Sequence, residues 1–209
     1  MATFTQNQAS QSAITPSDAL DMLKAGNKRF LANQQEQRNL HDQIQATTGG
    51  QYPFAVVLSC IDSRVPVEVV FDQGIGDIFS ARVAGNFVNT DILGSIEYGC
   101  KVAGSKLVMV LGHTSCGAVK GACDDVKLGN ITSMLDKLKP AVQGVQTPEG
   151  TDRSSANGAF VQQVVYKNVE LTIAQMKAES AVLSEMEANG EIEIVGAVYD
   201  IKSGAVDFL

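Results

Sequence analysis

The sequence predicts an α/β fold: a single domain with a central, mostly parallel sheet of four to five strands flanked by helices. Two patterns carry this prediction. Short continuous apolar runs rich in Val, such as 54–59 (FAVVLS) and 106–112 (KLVMVLG), read as strands buried on both faces. Stretches with helical spacing of apolar residues lie between such runs, and alternating strands and helices build a parallel sheet covered on both sides. The 209 residues suffice for one sizeable domain and are short for two, while 44% apolar and 19% charged residues suit a packed globular chain.

Residues 1–14, polar at their start and rich in Gln, Ser and Ala, are expected as a flexible tail before a folded domain over 15–209. Thr15-Pro16-Ser17-Asp18 reads as a capping box with Pro at the first helical position. Leu20, Leu23, Asn27, Phe30 and Leu31 follow at helical spacing, a mostly apolar stripe with no partner nearby in sequence. Such a helix packs on a second subunit or back on its own domain. Strands are expected at 54–59, 78–83, 106–112 and 192–199, with a fifth at the sheet edge. Helices are expected at 91–102, 116–128, 131–142 and 159–186. In the last, Val161, Val164, Val165, Val169, Ile173 and Met176 keep the i, i+3, i+4 rhythm. Residues 143–157, rich in Gly, Pro, Thr and Ser, read as a surface loop. Gly74 and Gly76 lack the spacing of a dinucleotide turn and read as the loop before the second strand.

A formal net charge of −7 leaves no basic excess for displacing phosphate counterions, so no nucleic-acid partner is expected. No apolar run approaches the roughly 20 residues that span a bilayer, so no membrane partner is expected either. The first residues lack the basic and apolar regions of a signal peptide. The expected compartment is therefore cytoplasmic, or periplasmic or organellar if a targeting segment has been removed. Four cysteines, Cys60, Cys100, Cys116 and Cys123, are too few for a disulfide scaffold in a chain this long and suit reduced thiols, some of them metal ligands.

The chemistry-bearing residues follow two of the buried runs directly. FAVVLS leads into Cys60-Ile61-Asp62-Ser63-Arg64, and KLVMVLG into His113-Thr114-Ser115-Cys116-Gly117. In parallel sheets ligands bind beyond the carboxyl ends of strands, so both segments are expected at the same edge. Two thiolates and an imidazole suit zinc, tetrahedral with a fourth position to fill. H-x-x-C alone is a weak signal, but beside C-x-D-x-R, each after its own buried strand, it is a strong one.

With these motifs the chain resembles the β-class carbonic anhydrases, from about Thr15 to the C-terminal strand. The likeness is sharpest in Ser59-Cys60-Ile61-Asp62-Ser63-Arg64-Val65-Pro66, Arg82-Val83-Ala84-Gly85-Asn86, Gly94-Ser95-Ile96-Glu97-Tyr98 and Gly112-His113-Thr114-Ser115-Cys116-Gly117. The resemblance implies one Zn2+ per chain on Cys60, His113 and Cys116, and reversible hydration of carbon dioxide to bicarbonate and a proton. Asp62 and Arg64 are the implied catalytic pair: Asp62 orients a zinc-bound hydroxide, and Arg64 holds Asp62 by a bidentate contact. If Arg64 lets go, Asp62 becomes a fourth zinc ligand and closes the site. The implied substrate pocket, completed at a subunit interface, takes Gln51, Phe79, Ala84, Tyr98 and Gly117. Members with a bicarbonate-inhibited site carry a Trp where this chain has Val57, so the plant-like, open type is favoured.

The resemblance also implies a homodimer or homotetramer, with the N-terminal helix reaching across the partner subunit. Two other readings accompany this one: a related zinc hydrolase acting on carbon disulfide or carbonyl sulfide, and a non-catalytic zinc-binding member of the fold. Cys100 and Cys123 are expected as packing thiols, and His41 as a surface histidine.

Overall fold

The computed structural model describes residues 5–209. Its sheet has five strands: β1 (Ala55–Ser59), β2 (Ile78–Arg82), β3 (Leu107–His113), β4 (Glu193–Tyr199) and β5 (Val206–Phe208). Their spatial order is β2-β1-β3-β4-β5, the first four parallel and β5 antiparallel to β4. Every residue of β1 and β3 is buried, as their unbroken apolar runs require, whereas β2, at the edge, is half exposed.

Helices cover both faces of the sheet. The longest, α9 (Gly158–Glu179), lies over β3 and β4. Val165 and Val169 of α9 sit where a Cβ at Gly112 would fall, and Val169 also crowds Gly196. Missing side chains at these two strand positions thus let the helix approach the sheet closely. Ser180 ends α9, and its hydroxyl caps α10 (Ala181–Ala188) at the Leu183 N–H, which breaks the single helix expected over 159–186. The stretch expected as one helix over 131–142 is likewise two, α7 (Gly129–Asp136) and α8 (Lys139–Gly144), with Pro near the start of α8. α6 (Gly117–Cys123) is shorter than expected, and the helix at 91–102 is α5 (Thr90–Glu97) continued by a π-helical turn, Tyr98–Val102. Two short helices, α3 (Leu40–Thr47) and α4 (Val67–Val70), carry too few periodic apolar positions to announce themselves.

One expectation at the N-terminus needs correction. Residues 1–4 lie outside the described residues, but much of the rest of the expected tail is a helix, α1 (Gln8–Ala13), capped by the Asn7 side chain. The Gln11 amide, buried, donates to the carbonyls of Pro53 and Ala103 and ties α1 to the ends of two loops. α2 (Pro16–Leu31) has the expected Thr15–Asp18 capping box. Its inner face lies on its own domain: Ala19 and Leu23 are fully buried in one cluster with Val70, Phe71, Leu107 and Met109. Asn27, in the apolar stripe, is satisfied by donating to the carbonyls of Val70 and Gly204 and accepting from the Val206 N–H.

Gly26 sets how closely α2 can pack. A Cβ there would fall 1.8 Å from the Phe71 carbonyl oxygen. Gly26→Ala improves intrinsic helix propensity by about 1 kcal/mol, yet the overlap requires backbone displacement, and overpacking of this kind costs about 1–3 kcal/mol or more. The expected result is a lower midpoint in urea or thermal unfolding; an unchanged or raised midpoint would contradict the packing described.

Candidate metal centre

β1 and β3 are adjacent, with Ser59 opposite Leu111, and the chain leaves them towards opposite sides of the sheet, since β2 flanks β1 and β4 flanks β3. This is the switch point at which parallel sheets open a crevice beyond their carboxyl ends. Cys60 follows β1, His113 is the last residue of β3, and Cys116 is the cap residue of α6. One ligand atom from each lies within 4.8 Å of the others, and the two sulfurs are 4.0 Å apart. Zinc–sulfur bonds of about 2.3 Å at the tetrahedral angle place two sulfurs about 3.8 Å apart, so the pair already has the spacing a shared metal needs.

His113 is wholly buried, and its Nδ1 lies 3.0 Å from the Thr114 carbonyl oxygen. A carbonyl only accepts, so Nδ1 carries the proton and Nε2 presents a lone pair. That Nε2 is buried and has no hydrogen-bond partner among the described residues. An orphaned nitrogen beside two thiols is costly in a packed interior unless something coordinates it. The donor set fits zinc, with three protein ligands and room for a fourth.

One thiol of the pair is poised for deprotonation. The thiol–thiol contact with Cys116 is the largest influence drawing Cys60 down to about 4, with His113 and the Gly85 and Asp62 N–H groups assisting against burial. Cys116 moves the opposite way, pushed up by the same contact, by burial and by the Cys60 charge. Without metal the pair therefore shares one proton; a bound cation removes it. Cys100, outside the site, is pushed up to about 12 by burial alone, and Cys123 is half-buried, as packing thiols should be.

Above the cluster lies Asp62. Arg64 donates to it from Nε (2.9 Å) and from its terminal guanidinium nitrogen (2.7 Å), and the Arg64 backbone N–H adds a third bond at 3.0 Å. These bonds hold the Asp62 carboxyl well below the usual carboxylate range and raise Arg64 further. Asp62 Oδ2 stands 3.9 Å from His113 Nε2. The carboxylate is thus charged, held from behind and placed beside the His113 nitrogen that faces the two sulfurs.

Sequence reasoning assigned no role to Arg82 or Gly85, which the structure brings to the site. Arg82, at the end of β2, donates to the carbonyls of Cys60 and Asp62 and clamps the loop that carries both. The Gly85 N–H points to the Cys60 sulfur at 3.4 Å. Ala84 is the half-buried neighbour of Gly85, and Gly117 begins α6 with open space around it and an N–H that has no intrahelical acceptor. The other three expected pocket residues lie elsewhere. Gln51 is exposed ahead of β1, beside Thr47, Ile75 and Gly76, and Phe79 pairs with Val56 near the start of β2. At about 3.3 Å per residue, β1 alone sets Gln51 more than roughly 13 Å from the end that carries Cys60. Phe79 and Tyr98 meet edge to face at 6.2 Å in an open groove of about 780 Å³, which the metal ligands do not line. His41 is exposed, as expected.

The shared proton is measurable. In metal-stripped protein held between the lowered Cys60 value of about 4 and the ordinary thiol value of about 8.5, ultraviolet absorbance should report one thiolate. Cys60→Ser should abolish it. Absence of thiolate in the unaltered metal-free protein would contradict the pairing.

Similarity to known proteins agrees with this geometry. The family profile described as carbonic anhydrase matches residues 55–206, which include all three candidate ligands. The chain is 36% identical over 195 residues to carbonic anhydrase 2 of Mycobacterium tuberculosis, covering 90% of each chain. It is 37% identical over 193 residues to the carbonic anhydrase of Mycolicibacterium smegmatis, covering 92% of each. In fold it is similar to the Coccomyxa β-carbonic anhydrase solved with acetazolamide (TM-score 0.70, 22% identity, 91% and 81% of the two chains). A tetrameric β-carbonic anhydrase of Sordaria macrospora is similar to the same degree (TM-score 0.69, 23% identity, 92% and 97%). Ligand geometry, family profile and architecture converge: the chain belongs to the carbonic anhydrase family, enzymes of the lyase class, and has the fold of the β class.

Proposed function

We propose that this chain catalyses the reversible hydration of carbon dioxide to bicarbonate and a proton, with one zinc ion per chain held by Cys60, His113 and Cys116. The observation that carries the reading is the Asp62 carboxylate, fastened by Arg64 and standing 3.9 Å from the unpartnered His113 Nε2. Zinc bound there would supply Lewis acidity, bringing the pKa of a coordinated water towards ~7. Two thiolate ligands neutralise the metal's formal charge and make that ionisation harder than three neutral imidazoles would. An adjacent acceptor is therefore useful, and Asp62 is placed to serve. As an ionised carboxylate it only accepts, so it takes the hydrogen bond of the attacking oxygen and turns a lone pair towards carbon dioxide. Arg64 keeps both Asp62 oxygens oriented and supports the open form, in which Asp62 is not a ligand. The Gly117 N–H and the small Ala84 side chain are assigned to the pocket beside the ligands.

Gln51, Phe79 and Tyr98 sit at the far half of their own sheet, and we assign them to the site of a second copy in a homodimer, the unit from which a homotetramer would be built. The tetrameric Sordaria relative supports assembly, and exposed Tyr98 and Val102 supply apolar surface beside the groove.

Two measurements test this. Stopped-flow hydration on metal-analysed protein should be fast, and Asp62→Asn should lower it about 100- to 10,000-fold with zinc still at one per chain. Zinc-loaded protein inactive up to about pH 9, near the ionisation of water on free aqueous zinc, would overturn the proposal. For the shared pocket, Gln51→Ala and Asp62→Asn chains, each impaired alone, should regain activity after subunit exchange, because one mixed site contains both native residues. No recovery despite demonstrated exchange would return Gln51 to a surface role.

A further inference from the structure

α9 presents an almost wholly apolar face to the sheet, with Val161, Val164, Val165, Val169 and Met176 buried there. Asn168 interrupts that face and is itself only 4% exposed. A buried amide amid valines requires partners. The one it finds is the Gly85 carbonyl, to which Nδ2 donates at 2.8 Å.

Gly85 is an unusual residue to anchor. Its φ is +83°, and Asn86 follows at +42°, so two consecutive residues are left-handed. A side chain at position 85 would be disfavoured by that backbone and would also meet Leu138 at 2.7 Å. The turn aims the Gly85 N–H at the Cys60 sulfur. The Gly85 carbonyl and N–H belong to neighbouring peptide planes joined at the Gly85 Cα. Holding the carbonyl from α9 therefore anchors one side of the left-handed turn and limits how far the other side, with its N–H, can swing from the sulfur.

We infer that Asn168 is a positioning residue for the metal centre: by holding the Gly85 carbonyl it keeps the Gly85 N–H on the sulfur of Cys60 and so tempers that sulfur as a metal donor. The inference rests on the reading that Cys60, His113 and Cys116 hold a metal. A hydrogen bond to a ligand sulfur withdraws electron density from it, and outer partners of this kind commonly govern metal affinity by about 10- to 100-fold. Asn168 touches neither metal nor substrate and acts only through Gly85.

The test compares two equally buried asparagines. Asn27, also 4% exposed, bonds two carbonyls under α2, on the opposite side of the sheet core from the ligand cluster. Asn168→Ala and Asn27→Ala are each loaded with cobalt(II), and zinc affinity is read by competition with a chelator. Asn168→Ala should move the sulfur-to-cobalt charge-transfer band to longer wavelength, because the sulfur loses a hydrogen bond that withdraws its electron density. It should also weaken zinc binding about 10- to 100-fold, because the loss of the partner that orients the Cys60 sulfur outweighs its gain in donor strength. Asn27→Ala should lower the unfolding midpoint and leave band and affinity unchanged. Native band and affinity in Asn168→Ala, or the same changes in Asn27→Ala, would overturn the inference. The unaltered protein gives a second test that needs no variant to fold: loaded with a spin-active cadmium isotope, it should show scalar coupling between the metal and the Gly85 amide proton, and absence of coupling would overturn the inference. Unaltered protein that binds neither zinc nor cobalt would overturn the metal reading itself, and this inference with it.

Discussion

The parallel pairing of β1 with β3, Ser59 opposite Leu111, is the constraint on which the rest of the molecule depends. It sets two strand ends side by side at the point where the chain turns away in opposite directions, so Cys60, His113 and Cys116 converge across more than fifty residues of sequence. Side chains alternate along a strand, so a slip of one residue would reverse His113 and move it away from the sulfurs. With both strands buried on both faces, any slip would force the whole core to repack. The close approach of α9, permitted at Gly112 and Gly196, seals one of those faces.

Around that frame the chain arranges charge with economy of means. Each ligand sulfur is met by backbone N–H groups: Gly85 and Asp62 towards Cys60, Ala118 and Val119 at the start of α6 towards Cys116. Such donors spread thiolate charge without adding a competing cation. Asp62 brings a further negative charge beside His113 Nε2, and Arg64 compensates it from the solvent side, while Arg82 fixes the loop through its carbonyls. Because the folded Asp62 carboxyl lies below its ordinary value, the stability it contributes is present above that ordinary value and is lost as pH falls towards the folded one. The acceptor assigned to catalysis is accordingly charged throughout the neutral and mildly acidic range.

Much of this was legible in the sequence because it depends on local pattern. The Val-rich runs announced β1 and β3, the motifs after them announced the cluster that could hold a metal, and Thr15 with Asp18 announced the start of α2. What escaped depends on contacts between distant segments. Whether the face of α2 belonged to its own domain or to a partner turned on Gly26 and Phe71, which sequence spacing does not relate. Residues 8–13, expected within a flexible tail, form a helix that Gln11 ties down by reaching Pro53 and Ala103. Arg82 and Gly85 lay in a recognised motif but had no visible target until the fold placed them beside Cys60. Asn168 left a trace, a polar residue inside an apolar helical rhythm, yet only the structure shows that it answers the Gly85 carbonyl.

The central claim is that one zinc ion sits between two sulfurs and one imidazole at the β1–β3 switch point, with one position left for a light atom. X-ray absorption at the zinc edge of the purified protein tests it most directly. The account predicts two sulfur neighbours at about 2.3 Å and two nitrogen or oxygen neighbours at about 2.0–2.2 Å, one of them with the outer scattering of an imidazole. A shell of three or four sulfurs, or one with none, would contradict it.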